Sequence, residues 1–219
     1  MTATTTVSSG SAEGLGCVCR GAASEQEVDA TRIDVLRLLG ERFSIGPRHL
    51  ALPAPSLDQL RCAAEIAVRA PDHGRLHPFR FVRVGPTQRE RLSHLFASAA
   101  LQRGCDIASA EHAAAKAHNG PALIGVVAHT RAGIEGVPVH EQWMTIGGGL
   151  MNFLNALHVM GFGAKVLSGP LISDEGIQQS FCRSGEQLVA WVLAGTPSAQ
   201  RGQDNRRGVD YPRLSEWGG

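Results

Sequence analysis

Residues 69–81 read Arg69-Ala70-Pro71-Asp72-His73-Gly74-Arg75-Leu76-His77-Pro78-Phe79-Arg80-Phe81. This stretch closes one element and opens another. Upstream, Ser56 is a good N-cap, and Leu57, Leu60, Ala64 and Ala67–Val68 fall on one stripe, predicting a helix over 57–69. Ala70 to Gly74 breaks that helix, because proline cannot continue it and glycine is a poor helix former. Downstream, Phe79 to Val84 has strand character. The loop between concentrates arginine, histidine and glycine. His73 and His77 stand four apart, but Pro71, Gly74 and Pro78 place them in a loop, not on one helix face where they could share a metal.

Working outward, the N-terminal side offers a short amphipathic helix from Val28 through Ile33, Leu36 and Leu39, stopped by Gly40. After it come Glu41-Arg42-Phe43-Ser44 and a proline-punctuated extended stretch ending at Pro55. On the C-terminal side, Gly85-Pro86-Thr87 leads into a third helix to about Leu101, and a fourth covers about Asp106 to Ala117. Leu123 to Ala128 is a continuous apolar run, as in a strand covered on both faces. The longest helix is expected from about Val139 to Met160. It contains Gly147-Gly148-Gly149, which cost about 1 kcal/mol each against alanine, so a close neighbour, a backbone or a flat ligand is expected there. A strand over Ala164–Leu167, a helix over Asp174–Phe181 and a strand over Leu188–Leu193 complete the order. It predicts an α+β or three-layer arrangement with about four core strands.

Composition bounds the function. The chain has 219 residues, with 21 basic against 20 acidic and a net charge of +1. That balance argues against coating nucleic acid or binding an anionic membrane surface. Residues 1–26 are small and polar and predict a disordered tail, leaving 27–219 as the folded domain. No secretory signal, presequence or membrane span is legible, so a soluble, cytoplasmic protein is expected. Five scattered cysteines read as free thiols, Cys17 and Cys19 among them. Dinucleotide, P-loop, nucleophile-elbow and zincin signatures are all missing from the sequence, and a metal site is not expected.

Three loops carry residue types suited to a phosphate-bearing ring ligand. Arg42-Phe43-Ser44, with Arg48 beyond, offers a bidentate guanidinium and a hydroxyl. The second is the 69–79 stretch. The third is Leu167-Ser168-Gly169-Pro170, where a glycine amide follows a strand. Singly, each reads equally well as a solvated loop.

Taken in order, they resemble the nitroreductase family, in its minimal YdjA type of NAD(P)H nitroreductase. Arg69-Ala70-Pro71-Asp72-His73 with Pro78-Phe79-Arg80-Phe81 is similar to the family's RAPDH…QPWxF stretch. The Arg-x-Ser after helix one, Pro53-Ala54-Pro55-Ser56, Gly161-Phe162-Gly163 before Ser168-Gly169, and Gly195-Thr196-Pro197 support it, so the likeness spans about Val28 to Pro197.

The resemblance implies a three-layer α+β fold with a central, mostly antiparallel sheet flanked by helices, an intertwined homodimer, and FMN reduced by NAD(P)H. By position, Arg42 and Ser44 would hold the phosphate and ribityl chain. Arg69 and His73 would reach the flavin from the partner subunit. Val166, Leu167 and Ser168 would line the ring, the Gly169 amide would face its reactive nitrogen, and Arg48 its pyrimidine edge. Ala156–Gly161 corresponds to a region associated with the nicotinamide donor. Phe43 stands where the family usually has a second basic residue or histidine, and Leu167 where it has arginine. Glu141, Gln142 and Lys165 acquire no role. The implied activity is hydride transfer to a nitroaromatic, quinone or similar electron-poor acceptor, without a catalytic triad. A flavin-binding sensor with little turnover, or an oxygen-using flavin enzyme, remain open as alternatives.

Overall fold

The structure, a computed structural model, describes residues 25–199 and 216–217. Expectations for residues 1–24, with Cys17 and Cys19, lie outside the described residues. The chain divides into two units between Arg37 and Leu38. Helix α1 (Glu25–Glu41) runs through that boundary and begins three residues ahead of the expected Val28, so Glu25 and Gln26 are helical rather than tail.

The second unit contains α2 (Leu57–Ala67), α3 (Pro86–Gln102), α4 (Ile107–Ala115), α5 (Val139–Val159) and α6 (Glu175–Phe181). Five strands accompany them: β1 (Leu50–Ala51), β2 (Phe79–Val84), β3 (Ala122–Ala128), β4 (Gly163–Leu167) and β5 (Gln187–Pro197). Local chemistry fixes the helix starts. Ser56 and Gln59 form a reciprocal capping box at α2, Asp106 and Asp174 cap α4 and α6, and Pro86 opens α3 where no donor is needed.

Every strand pair is antiparallel. β2 pairs β3, β3 pairs β5, and β5 also pairs β4 and β1. Between Val126 and Val127 the register to β5 shifts and skips Val189, a bulge that sets two successive β5 residues on one face. The sheet is covered on both faces. Leu123, Val127, Trp191 and Leu193 pack with Leu92 and Phe96 of α3, Ala110 and Ala113 of α4, and Ile177 of α6. Ile124, Val126, Ala190 and Val192 pack with Leu60 and Ala63 of α2 and with Phe153 and Leu157 of α5. Two opposed apolar faces explain why all seven residues of β3 are buried and why its sequence does not alternate.

At one corner Arg80 of β2 donates to Glu186, and also to the Phe181 carbonyl at 2.7 Å. The guanidinium holds the Glu186 carboxyl down to about 2. The glycine run of α5 resolves unevenly. A Cβ on Gly149 would lie 2.2 Å from the Phe79 ring, so Gly149 admits a side chain of the chain itself, while Gly147 faces open space. Among the described residues no helix is long and apolar enough to cross a membrane.

Candidate functional site

The first cluster forms where α1 ends. The chain after Arg42 lies along the start of β4: Ser44 makes a parallel bridge to Ala164, and the Ile45 amide donates to the Ala164 carbonyl at 3.1 Å. Arg42 is half-buried in a small cleft with Leu154, His158, Phe162 and Gly163. Its Nε is buried and has no hydrogen-bond partner among the described residues, a state it shares with Arg131 Nε and Asn155 Oδ1. Phe43 lines the same cleft and is partly buried against the core, while Ser44 stays exposed. Arg48 is exposed on the short 3-10 turn Pro47–His49.

The second cluster lies at the far end of β4, about 13 Å from Ala164 at strand rise. Val166 and Leu167 are half-buried, and Ser168 and Gly169 are exposed. Leu167, Ser168 and Gly169 wall a cavity of about 300 Å³, whose apolar lining includes Phe96, Trp191 and Leu193. Lys116 and Asn119, from the turn after α4, line the same cavity. Buried hydrogen bonds set its walls. Arg89 donates to the carbonyls of Ala117, Asn119 and Pro121 at 3.0–3.3 Å. Gln178 donates to those of Ile172 and Leu188. Lys116 escaped the sequence reading because no motif marks it and it is remote in sequence from Ser168.

The third cluster is the 69–78 loop, held on the first turns of α5. Thr145 Oγ1 donates to the Pro71 carbonyl at 2.7 Å, and His73 Nδ1 meets Glu141 Oε2 at 2.7 Å. Within the loop the Asp72 carboxylate accepts from the Leu76 and His77 amides at 3.1 and 2.8 Å. Arg131 Nη2 donates to the Leu76 carbonyl, and the buried Gln142 amide fixes the Arg131 backbone at both its N–H and C=O. These bonds hold Arg75 (φ 50°) and His77 (φ 48°) in the left-handed region, which non-glycine residues rarely occupy. Arg69 and His73 are exposed.

The structure therefore sets Arg42 and Ser44 beside the start of β4 and Val166–Gly169 at and just past its end, but leaves Arg69 and His73 elsewhere. Glu141 and His158 mark the two ends: 17 residues of α5 separate them, about 25 Å along the helix axis. Four residues that carry this geometry, Lys116, Glu141, Gln142 and Thr145, are ones the sequence leaves without a role.

A helix-flanked antiparallel sheet, with a small cleft holding Arg42 beside the start of one short strand and a ligand-sized cavity beside its other end, defines an α+β protein. Comparison with known proteins is consistent with that class. The Nitroreductase family model matches residues 39–196. The Haemophilus influenzae protein named "Putative NAD(P)H nitroreductase" is 33% identical over 165 residues, 75% of this chain and 89% of the relative. Escherichia coli K12 "Putative NAD(P)H nitroreductase YdjA" is 32% identical over 166 residues, with the same coverage. A nitroreductase from Desulfovibrio desulfuricans, solved in complex with FMN, superposes with a TM-score of 0.57 at 23% identity, over 80% of this chain and 92% of that one. The chain belongs to the Nitroreductase family, an oxidoreductase family, and its YdjA-type resemblance and three-layer α+β fold stand.

Proposed function

We propose that the protein is an FMN-dependent oxidoreductase that passes a hydride from NAD(P)H to a nitroaromatic, quinone or similar electron-poor acceptor, and that it acts as a homodimer. The observation that carries this reading is Arg42, a half-buried guanidinium whose Nε has no partner among the described residues. A buried N–H without an acceptor is costly, so the site fits an anion with oxygen acceptors. A phosphate satisfies it, and arginine grips phosphate with fixed geometry. On the α3 face of the sheet an apolar cavity with a lysine on its lining fits a planar ring with an electron-rich edge.

When bound, FMN supplies hydride transfer in both directions, and the side chains need only hold and tune it. Arg42 and the Ser44 hydroxyl hold the anionic end. Leu167 and Ser168 present one wall, Val166 faces the α5 side of the sheet, and the Gly169 amide offers a donor with no side chain in the way. Lys116 and Arg48 add positive charge where reduction would place negative charge. Phe43 is packed against the core, so the missing second basic residue leaves the phosphate to Arg42 and does not favour the sensor reading.

Two features support the homodimer. His73, bonded to Glu141, stands about 25 Å along α5 from the Arg42 end, and Arg69 precedes Ala70, which packs at Gly148, about 15 Å from that end. Between them α5 exposes Trp143, Met144 and Met151, with Gly147 in open space. Two copies packed on this face about a two-fold axis set the first half of one α5 against the second half of the other, bringing Arg69 and His73 of one subunit to the β4 cleft of its partner. The test is direct. Purified protein is expected to show flavin absorbance, or to acquire it with added FMN, at one FMN per chain. NADH or NADPH should bleach it anaerobically, and an acceptor should restore the colour. A protein that never binds FMN would sink the reading, and a monomer that holds FMN would remove the dimer.

A further inference from the structure

We infer that Glu141 is a positioning residue for His73: it holds the proton on Nδ1, so that Nε2 is the ring atom presented outward. The inference rests on the reading that His73 meets the flavin from the neighbouring subunit, and adds to it how that histidine is prepared. His73 Nδ1 and Glu141 Oε2 are 2.7 Å apart, the length of a charge-assisted hydrogen bond. A carboxylate can only accept, so the bonded nitrogen carries the hydrogen. The free nitrogen is then Nε2, at the far side of the ring from Glu141.

The pair is poorly explained as a stabilising device. Both side chains are substantially exposed, 59% for His73 and 38% for Glu141, and ion pairs in such positions contribute about 0–1 kcal/mol. The loop is already anchored through Pro71, Asp72 and Leu76, by Thr145, by its own amides and by Arg131. Asp72, the nearest other carboxylate in the loop, has each of its oxygens engaged by a backbone amide. What Glu141 adds is direction: it selects one ring nitrogen as donor and fixes the ring plane, as a second partner does for many functional histidines.

Long-range proton–nitrogen spectra of the full chain, labelled with ¹⁵N-histidine, test this. His73, assigned by loss of its signals in His73→Asn, is expected to be protonated at Nδ1 in the flavin-free protein. Glu141→Gln should raise the Nε2-protonated form and weaken FMN binding about tenfold, the scale of one charge-assisted hydrogen bond. Glu141→Asp should give an intermediate spectrum and affinity. A wild-type His73 protonated mainly at Nε2, or an unchanged tautomer in Glu141→Gln, overturns the inference. So does a changed tautomer with unchanged FMN affinity. If the wild-type protein binds no FMN, the functional reading fails, while the spectra still decide the His73–Glu141 assignment.

Discussion

The two basic regions of this molecule are built in opposite ways. Beside the start of β4, Arg42 is half-buried, with a guanidinium nitrogen that none of the described residues satisfies. On the first turns of α5, the 69–78 loop is exposed yet tied down through Pro71, Asp72 and Leu76, strongly enough to hold two residues at positive φ. A buried group left unpaired calls for something to enter. An exposed group held rigid is ready to be brought to something else. The contrast separates a receiving half-site from a presenting one, and in a two-fold assembly each subunit supplies both.

The largest effect expected is at the receiving half. Arg42→Ala should weaken FMN binding by roughly thirtyfold or more, the loss of a charged hydrogen-bond donor to phosphate, with an unchanged circular dichroism spectrum. Full flavin retention would show that both regions present and neither receives.

Arg69→Ala should weaken binding less, by about tenfold, although Arg69 is remote from Arg42 in its own chain. Mixing the two variants sharpens this. If each site draws on both subunits, a mixed dimer of Arg42→Ala and Arg69→Ala chains has one intact site and one doubly altered site. Flavin titration should then recover tight binding in the mixed dimers only. No recovery after verified subunit exchange would place both residues in one chain's site.

Gly147 and Gly149 separate the face of α5 left open from the face already filled. Gly149→Ala puts a Cβ into the Phe79 ring and should destabilise the protein by about 1–3 kcal/mol, read by chemical denaturation. Gly147→Ala meets no atom of the described residues. Its effect should depend on protein concentration, because the neighbour it disturbs is a second copy. A concentration-independent loss at Gly147 would break the assignment of that face.

The smallest effect lies outside both regions. Arg80 lowers the Glu186 carboxyl to about 2, below the ordinary value. Depression in the folded state means that this stability is complete above the ordinary carboxylate range and fades as pH falls through it toward 2. Glu186→Gln should therefore narrow the difference in melting temperature between pH 6 and pH 3, without changing flavin affinity at neutral pH.

Much of this was legible in the chain. Periodicity located α2, α3 and α5, and the apolar run found β3, because those elements bury a stripe or two faces over many residues. The two-residue strand β1 left no such trace: Leu50 and Ala51 are strand only because β5 extends to Pro197 and pairs them. Helix α2 stops at Ala67, two residues before the predicted Arg69, and α4 tightens into a 3-10 turn at Lys116–His118. The glycine run of α5 was expected to admit a backbone or ligand, and at Gly149 it admits Phe79, a contact no local pattern encodes. Lys116 was missed for the same reason, since its place beside Leu167 and Ser168 depends on how α4 docks.

The sequence by itself determined which segments are helix and strand, and which loops carry charge, glycine and proline. Those follow from capping, periodicity and the conformational limits of single residues, all local properties. Only the tertiary structure decided that Arg42 keeps a buried nitrogen unpaired among the described residues, that Phe43 packs against the core, and that Thr145 and Arg131 hold the loop bearing His73 while Glu141 meets its ring. Each of these depends on burial and on partners remote in sequence. A charged side chain has no fixed role until the fold settles what surrounds it and which of its hydrogen bonds remain to be made.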